Sequence, residues 1–171
     1  MLFEIIAPLR RVVQTLVACH SPPELAAGFT LGMIIGLVPK GNLIALSLCV
    51  LLFSMRVNKG LGVMAAVLFS CFATSIDPFA HKLGLFVLSA ENLQVSYARI
   101  YDMPFGPWLG FNNTVTSGSL LFGVYVSYPV YFATRTLAAR IERLIVAWLS
   151  EMRSEVSQAD HNANSQPRIA A

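Results

Sequence analysis

The sequence has 171 residues, of which 56% are hydrophobic and only 12% are charged. Soluble domains average about 45–50% apolar and about 25% charged residues, so this composition is typical of a chain that lies in a lipid bilayer. The net charge of +3 comes from scattered cations, with no basic run interleaved with aromatics, which excludes a surface that follows nucleic-acid phosphates.

Residues 1–20 predict an amphipathic helix at the membrane interface. Arg10 and Arg11 lie off an apolar stripe of eight side chains at helical spacing. The stripe consists of Leu2, Ile5, Ile6, Leu9, Val12, Val13, Leu16 and Val17. Because the segment is too short and too charged to span a bilayer, we expect it to lie in the headgroup region.

A capped helix is predicted to start at Ser21. The Ser21 hydroxyl can accept a hydrogen bond from the first turn, and Glu24 can complete a capping box. The two prolines between them occupy first-turn positions that need no donor. The chain is then apolar as far as Pro39.

Gly28, Gly32 and Gly36 recur every four residues, so they lie near one face of this helix. Such a face favours close packing of another helix, and this is commoner than a path along which backbone approaches a ligand. The partner can be the second helix of the same chain, another copy or a different membrane protein.

The same helix is short for a membrane span. At roughly 1.5 Å per residue its apolar part is about 22 Å long, against a hydrocarbon core of about 30 Å. Residues 39–42 break it, and residues 43–55 predict a second short apolar helix. Two short helices around a polar turn predict a hairpin that is either re-entrant or crosses a locally thinned bilayer.

Two further apolar segments follow. Residues 61–76 form the third, which Asp77-Pro78 kinks or ends, with 79–89 as a short continuation. Residues 91–113 combine polar and apolar side chains, so we expect them to form an interfacial or loop region. Residues 116–134 carry no charge and are the clearest full-length span by sequence.

The chain ends with an amphipathic stretch and a polar tail. Residues 114–155 predict a transmembrane helix that runs into an amphipathic helix, and residues 156–171 predict a disordered tail. The stripe of the amphipathic part consists of Leu137, Ile141, Leu144, Ile145, Trp148 and Met152. This stripe suits an interfacial helix and a docking surface equally well.

These segments predict an all-α integral membrane protein with about four membrane segments and amphipathic helices at both ends. The expected location is a bacterial inner membrane, and the loop cations favour both termini in the cytoplasm. These cations are Arg10, Arg11, Arg56, Lys59, Arg135, Arg140 and Arg143. Under this topology His81, Lys82 and Arg99 lie outside.

The stretch SPPELAAGFTLGMIIGLVPKGNL, with the later RVNKGLG and DPFAHKLG, resembles the bacterial membrane proteins called domain of unknown function two-thousand-and-sixty-two. The likeness covers residues 21–90 and is closest in its first block. At the far end residues 72–75 replace the Asn-Pro element of the family, and His81-Lys82 replaces the usual Tyr-Arg. The resemblance implies an integral membrane domain without an established activity, sometimes associated with envelope and lipid-linked sugar biology.

Lys40 is the first candidate for chemistry, since it lies at the hairpin tip just past a helix C-terminus. At depth in the membrane it can receive an anionic headgroup, such as that of a phospholipid, or a substrate. If the tip instead reaches the far headgroups, Lys40 snorkels to the surface, and we favour this interpretation.

Asp77 and His81 are four residues apart, so on a continuous helix they can pair or relay a proton. A structural Asp-Pro helix start, with His81 at the interface, is favoured because Asp caps well before Pro. Tyr125, Tyr128 and Tyr131 are more typical of an interfacial belt than of a binding cage.

No nucleophile elbow, zinc motif, P-loop or carboxylate pair occurs at the expected spacing, and neither a cofactor nor a metal is predicted. The three cysteines, Cys19, Cys49 and Cys71, have no C-x-x-C spacing. The leading hypothesis is a non-enzymatic membrane subunit or scaffold of an envelope or lipid-handling system, in contact with lipid and with other copies or other membrane proteins. The alternatives are a small transporter or lipid flippase with a site near Lys40 and, third, a membrane enzyme that uses Asp77 and His81.

Overall fold

In the computed structural model the described residues are 21–165, so the predicted interfacial helix at 1–20 lies outside them. The secondary structure of this part is helical, which confirms the all-helical fold class. The helices are α1 (Pro22–Leu37), α2 (Leu43–Ser54), α3 (Lys59–Leu88), α4 (Glu91–Tyr101), α5 (Gly106–Leu109) and α6 (Thr114–Ser165).

Local signals account for both ends of α1. The backbone N–H of Ser21 donates to Glu24 Oε2 at 2.9 Å, and Ser21 and Glu24 form a capping box at the start of the helix. At the other end Val38 is extended, with φ −75° and ψ 132°. The cause is Pro39, because a proline disfavours the helical conformation in the residue before it.

Asparagines start the next two helices. Asn42 Oδ1 accepts from the N–H of Ala45 at 2.8 Å at the start of α2, and Asn58 Oδ1 accepts from the N–H of Leu61 at 2.7 Å at the start of α3. Gly41, in the turn before α2, has a φ of +96°, which a residue with a side chain rarely adopts.

Helix α3 is continuous through Asp77 and Pro78, so the interpretation of Asp-Pro as a helix start is wrong. An internal proline removes one hydrogen bond, and packing by neighbouring helices can outweigh that loss. Helix α3 has such neighbours, because its first half packs on α1 and its second half packs on α6.

Helix α6 continues to Ser165 and so includes residues 156–165, which belong to the stretch where the sequence predicts a disordered tail. Neither glycine nor proline occurs between Val130 and Gln166, so no residue in this stretch terminates the helix. Within 91–113 the chain forms α4 and α5.

Helices α1, α3 and α6 form the centre of the molecule, with α2 against α1. Helix α1 is apolar all round, as a buried helix is, and ten of its sixteen residues are buried. It is therefore the core helix of the bundle, and its neighbours cover the faces that a single span would expose to lipid.

One described helix, Lys59–Leu88, is long and apolar enough to cross a membrane by length and composition. Only 11% of its most apolar window is buried, unlike the core helix of a soluble protein, so it weakly indicates membrane association. The expectation that residues 116–134 are the clearest span is wrong by this measure. The serines, glycines, tyrosines and proline of that segment reduce its hydropathy.

Candidate functional site

The packing of the three central helices brings several turns to one end of the bundle. Gly28 of α1 lies against Asn58 and Gly36 lies against Ser70, so α1 and α3 run parallel. Helix α6 runs antiparallel to α3, since Gly84 faces Thr114 and Gly118 faces Ala80. The turn between α1 and α2, the second half of α3 and the start of α6 therefore meet at the same end.

The glycine face of α1 lies against α3 of the same chain. A Cβ at Gly28 would lie 2.5 Å from the carbonyl oxygen of Asn58, and one at Gly36 would lie 2.6 Å from Phe69 Cβ. A Cβ at Gly32 would overlap the carbonyl of Gly62. This face is therefore occupied and is not available to another protein.

Lys40 caps the C-terminus of α1. Its Nζ donates to the carbonyl oxygens of Ile35 at 2.7 Å, Gly36 at 3.0 Å and Val38 at 2.9 Å. An ammonium has three N–H donors, and these contacts use all of them. Burial lowers the pKa of Lys40 from its ordinary value, while the three carbonyl acceptors favour the charged form.

Asn42 joins this turn to the start of α6. Its Nδ2 donates to the carbonyl oxygen of Pro39 at 3.0 Å and to Thr116 Oγ1 at 3.5 Å. Asn113 caps α6, because its Oδ1 accepts from the N–H groups of Val115 at 2.9 Å and Thr116 at 3.4 Å. Two asparagine-capped helix starts thus converge at the same place.

His81 also reaches the start of α6, where its Nδ1 lies 2.6 Å from Thr114 Oγ1. Asp77 is half-buried one turn earlier on α3, and among the described residues no hydrogen bond or ion pair joins it to His81. The structure therefore places Lys40 and His81 at one end of the bundle, but it does not form the Asp77–His81 pair.

A polar cleft of about 540 Å³ opens between these turns. The lining residues come from the α1–α2 turn and from the segment that leads into α6. They are Pro39, Lys40, Gly41, Asn42, Pro107, Trp108, Gly110, Asn112, Asn113 and Thr116. Lys40 is the one charged residue among them, so this cleft (the Lys40 cleft) has a positive lining.

Neither helix that starts at the Lys40 cleft has an acidic residue in its first turn. The positive ends of both helix dipoles therefore lie at the cleft with Lys40, whose own charge faces the negative C-terminal end of α1. Within the described part of the chain, no group of three or more His, Cys, Asp or Glu residues could hold a metal ion.

The sequence analysis did not find Asn42, Trp108, Asn112, Asn113 or Thr116 as site residues. The asparagines carry a local signal, because an Asn before an apolar run is a helix cap. No local signal predicts that these residues lie close together, since Asn42 and Thr116 are 74 positions apart.

A family model described as an uncharacterized protein conserved in bacteria (DUF2062) matches residues 7–144. The chain belongs to this family. The match confirms the resemblance and extends it to both sides of residues 21–90, so it includes every residue that lines the Lys40 cleft.

A relative of this DUF2062 chain occurs in Treponema pallidum (strain Nichols), where it is also described as an uncharacterized protein. It is 31% identical over 130 residues, which cover 76% of this chain and 80% of the relative. No solved structure matches the chain.

Proposed function

We propose that this DUF2062 chain is a multi-pass membrane protein in which α1, α2, α3 and the first part of α6 lie in the bilayer. The supporting observation is the exposure of large apolar side chains on the outward faces of three helices. On α2 these are Leu46, Val50 and Phe53; on α3, Val63, Met64, Val67, Leu68 and Phe72; on α6, Leu121, Val124, Tyr125, Tyr128 and Phe132. A surface this apolar is typical of lipid contact or of a large protein interface.

The ends of the bundle differ in charge, which suggests an orientation. Arg56 and Lys59 lie where α3 starts, and Arg135 and Arg140 follow the apolar part of the antiparallel α6 at the same end. Cations of this kind favour the cytoplasmic side. The Lys40 cleft then faces the opposite side of a bacterial inner membrane.

For the activity we propose a non-catalytic membrane subunit of an envelope or lipid-handling system. Support comes from the contacts that the candidate side chains make within the fold. Lys40 caps α1, His81 contacts Thr114 and the glycine face packs on α3. Each side chain that the sequence offered for chemistry, Asp77 excepted, thus has a partner inside the bundle.

The experiment is mild-detergent extraction of a tagged chain from native membranes after cross-linking in the intact membrane. We expect a second membrane protein, or a second copy, at a fixed ratio to the chain. A carbonate wash before extraction should leave the chain in the membrane. A monomer in every mild detergent, with no cross-linked species, would contradict the role as a subunit.

A lipid transporter is the second candidate, and the Lys40 cleft is the observation that favours it. Because Lys40 caps a helix, its replacement tests folding and flux together. Asn112→Ala separates the two, since the exposed Asn112 side chain lines the cleft and makes no hydrogen bond to a described residue. Unchanged lipid movement in reconstituted vesicles of this variant and of Trp108→Ala would argue against a transporter.

A further inference from the structure

We infer that the Lys40 cleft binds the headgroup of an anionic phospholipid in which the phosphodiester carries the only charge, as in phosphatidylglycerol and unlike phosphatidylcholine, whose choline adds a cation. This inference rests on the proposed function, because it requires the cleft to lie at the headgroup level of a bilayer. It adds to that function a ligand class and the residues that would bind it.

The lining of the cleft suits an anion with one negative charge. Lys40 supplies one positive charge, no carboxylate lines the cleft, and both helices that start there lack acidic residues in their first turns. A phosphodiester has one charge and several acceptor oxygens, so it matches a site of one cation and several neutral donors.

Neutral donors of the lining face this space. The Asn112 amide and the Trp108 indole N–H are exposed at the cleft and make no hydrogen bond to a described residue. Thr116 is 1% exposed, and its Oγ1 accepts from Asn42 Nδ2 at 3.5 Å, which leaves the hydroxyl hydrogen to be donated. Groups of this kind can donate to the oxygens of a bound phosphate.

The surroundings favour a lipid over a free anion. Trp108 is 75% exposed, and Phe105 and Tyr101 nearby in sequence are also exposed. Aromatic side chains of this kind concentrate at the headgroup level of membranes. A lipid whose phosphate enters the cleft would have its acyl chains against the exposed apolar faces of the helices.

The test measures retained lipid on the full chain in detergent by native mass spectrometry. The probes are phosphatidylglycerol, phosphatidylcholine and free glycerophosphoglycerol, which is the phosphodiester headgroup without acyl chains. The wild-type chain should retain phosphatidylglycerol in preference to phosphatidylcholine. Asn112→Ala combined with Thr116→Val should lower this retention by at least about tenfold, since the loss of even one hydrogen bond to a charged group has an effect of this size. Arg99→Gln is the control, because Arg99 is exposed on α4 and does not line the cleft.

Three outcomes would overturn the inference. Equal retention of the two lipids, or unchanged retention in the double variant, would show that the cleft does not select this headgroup. Displacement of the lipid by millimolar glycerophosphoglycerol would show a site for the free anion instead. A carbonate wash of membranes with each variant keeps the two proposals apart, since a chain that stays in the membrane but lacks selectivity refutes only the lipid site.

Discussion

Lys40 is the residue whose interpretation changes most between sequence and structure. The sequence identifies it as a cation at a hairpin tip, and this position is compatible with a binding site. The structure adds three carbonyl acceptors at the end of α1, which make it a helix cap. Sequence alone could not distinguish these roles, because they depend on the direction in which a flexible side chain folds.

Replacing Lys40 should therefore reduce stability. Hydrogen bonds to a charged group are each worth about 1.5–3 kcal/mol when buried, and we expect a smaller total because Lys40 is only partly buried and water can replace its contacts. Lys40→Gln should lower the free energy of unfolding by about 1 kcal/mol, measured by denaturation in detergent.

Lys59→Gln is the matched control for Lys40→Gln. Lys59 is exposed in the first turn of α3, where a cation is unfavourable to the helix dipole, so its loss should not destabilise the protein. Equal destabilisation by the two changes would show that Lys40 is not a cap.

The glycines make the second prediction at this scale. A methyl group at Gly32 would overlap the carbonyl of Gly62, whereas one at Gly123 would have its nearest neighbours at 3.5 Å, an ordinary contact. Gly32→Ala should cost about 1–3 kcal/mol of unfolding free energy. Gly123→Ala should be neutral or stabilising by up to about 1 kcal/mol, because alanine favours a helix.

Thermal unfolding of the two glycine variants in the same detergent compares them directly. Both positions are helical and buried, so they differ mainly in the space available for a methyl group. A tolerated Gly32→Ala would mean that α1 and α3 are farther apart than the structure shows.

At the scale of the helices, the sequence predicts well the helix boundaries that neighbouring residues determine. It predicts poorly the places where packing by residues far away in the chain outweighs a local signal. The Ser-Pro-Pro-Glu start of α1 and the Pro-Lys-Gly-Asn turn act through neighbouring residues, and the structure has helix boundaries at both. Asp77-Pro78 carries an equally strong local signal, yet α3 passes through it. The packing of α6 on the second half of α3 involves residues such as Gly118 that lie far away in the chain.

The start of α6 provides a test of an element boundary. Asn113 caps the first turn through two N–H groups, while the preceding Asn112 makes no hydrogen bond to a described residue. Asn113→Ala should cost about 1 kcal/mol of unfolding free energy, typical of a lost cap, and Asn112→Ala should cost almost nothing. Chemical denaturation of the two variants without added lipid measures the difference, and similar values would contradict the assigned cap.

For the whole molecule, the structure explains how a helix as short as α1 could lie in the bilayer if the proposed membrane location is correct. Helix α1 is buried among α2, α3 and α6, so it does not need the length of an independent span. The sequence indicates that α1 is short, but it does not indicate how the fold accommodates a short helix. The reason is that the burial of α1 depends on α6, which packs antiparallel to α3. The Lys40 cleft has the same origin, since it forms only when the turn at residues 38–42 meets the start of α6.

The orientation of this bundle gives the last prediction. If α3 crosses the bilayer, Ser54 before it and Asn92 after it should lie on opposite sides, and both are exposed. Single cysteines at these positions, in a chain whose Cys19, Cys49 and Cys71 are replaced by serine, can be labelled in intact cells with an impermeant maleimide. We expect Asn92→Cys to react and Ser54→Cys to react only after the inner membrane is opened, because the cations near Ser54 favour the cytoplasm. Labelling of both cysteines from the same side would mean that α3 does not cross the bilayer. Labelling of Ser54→Cys, and not of Asn92→Cys, in intact cells would mean that the orientation is the reverse and that the Lys40 cleft lies in the cytoplasmic leaflet.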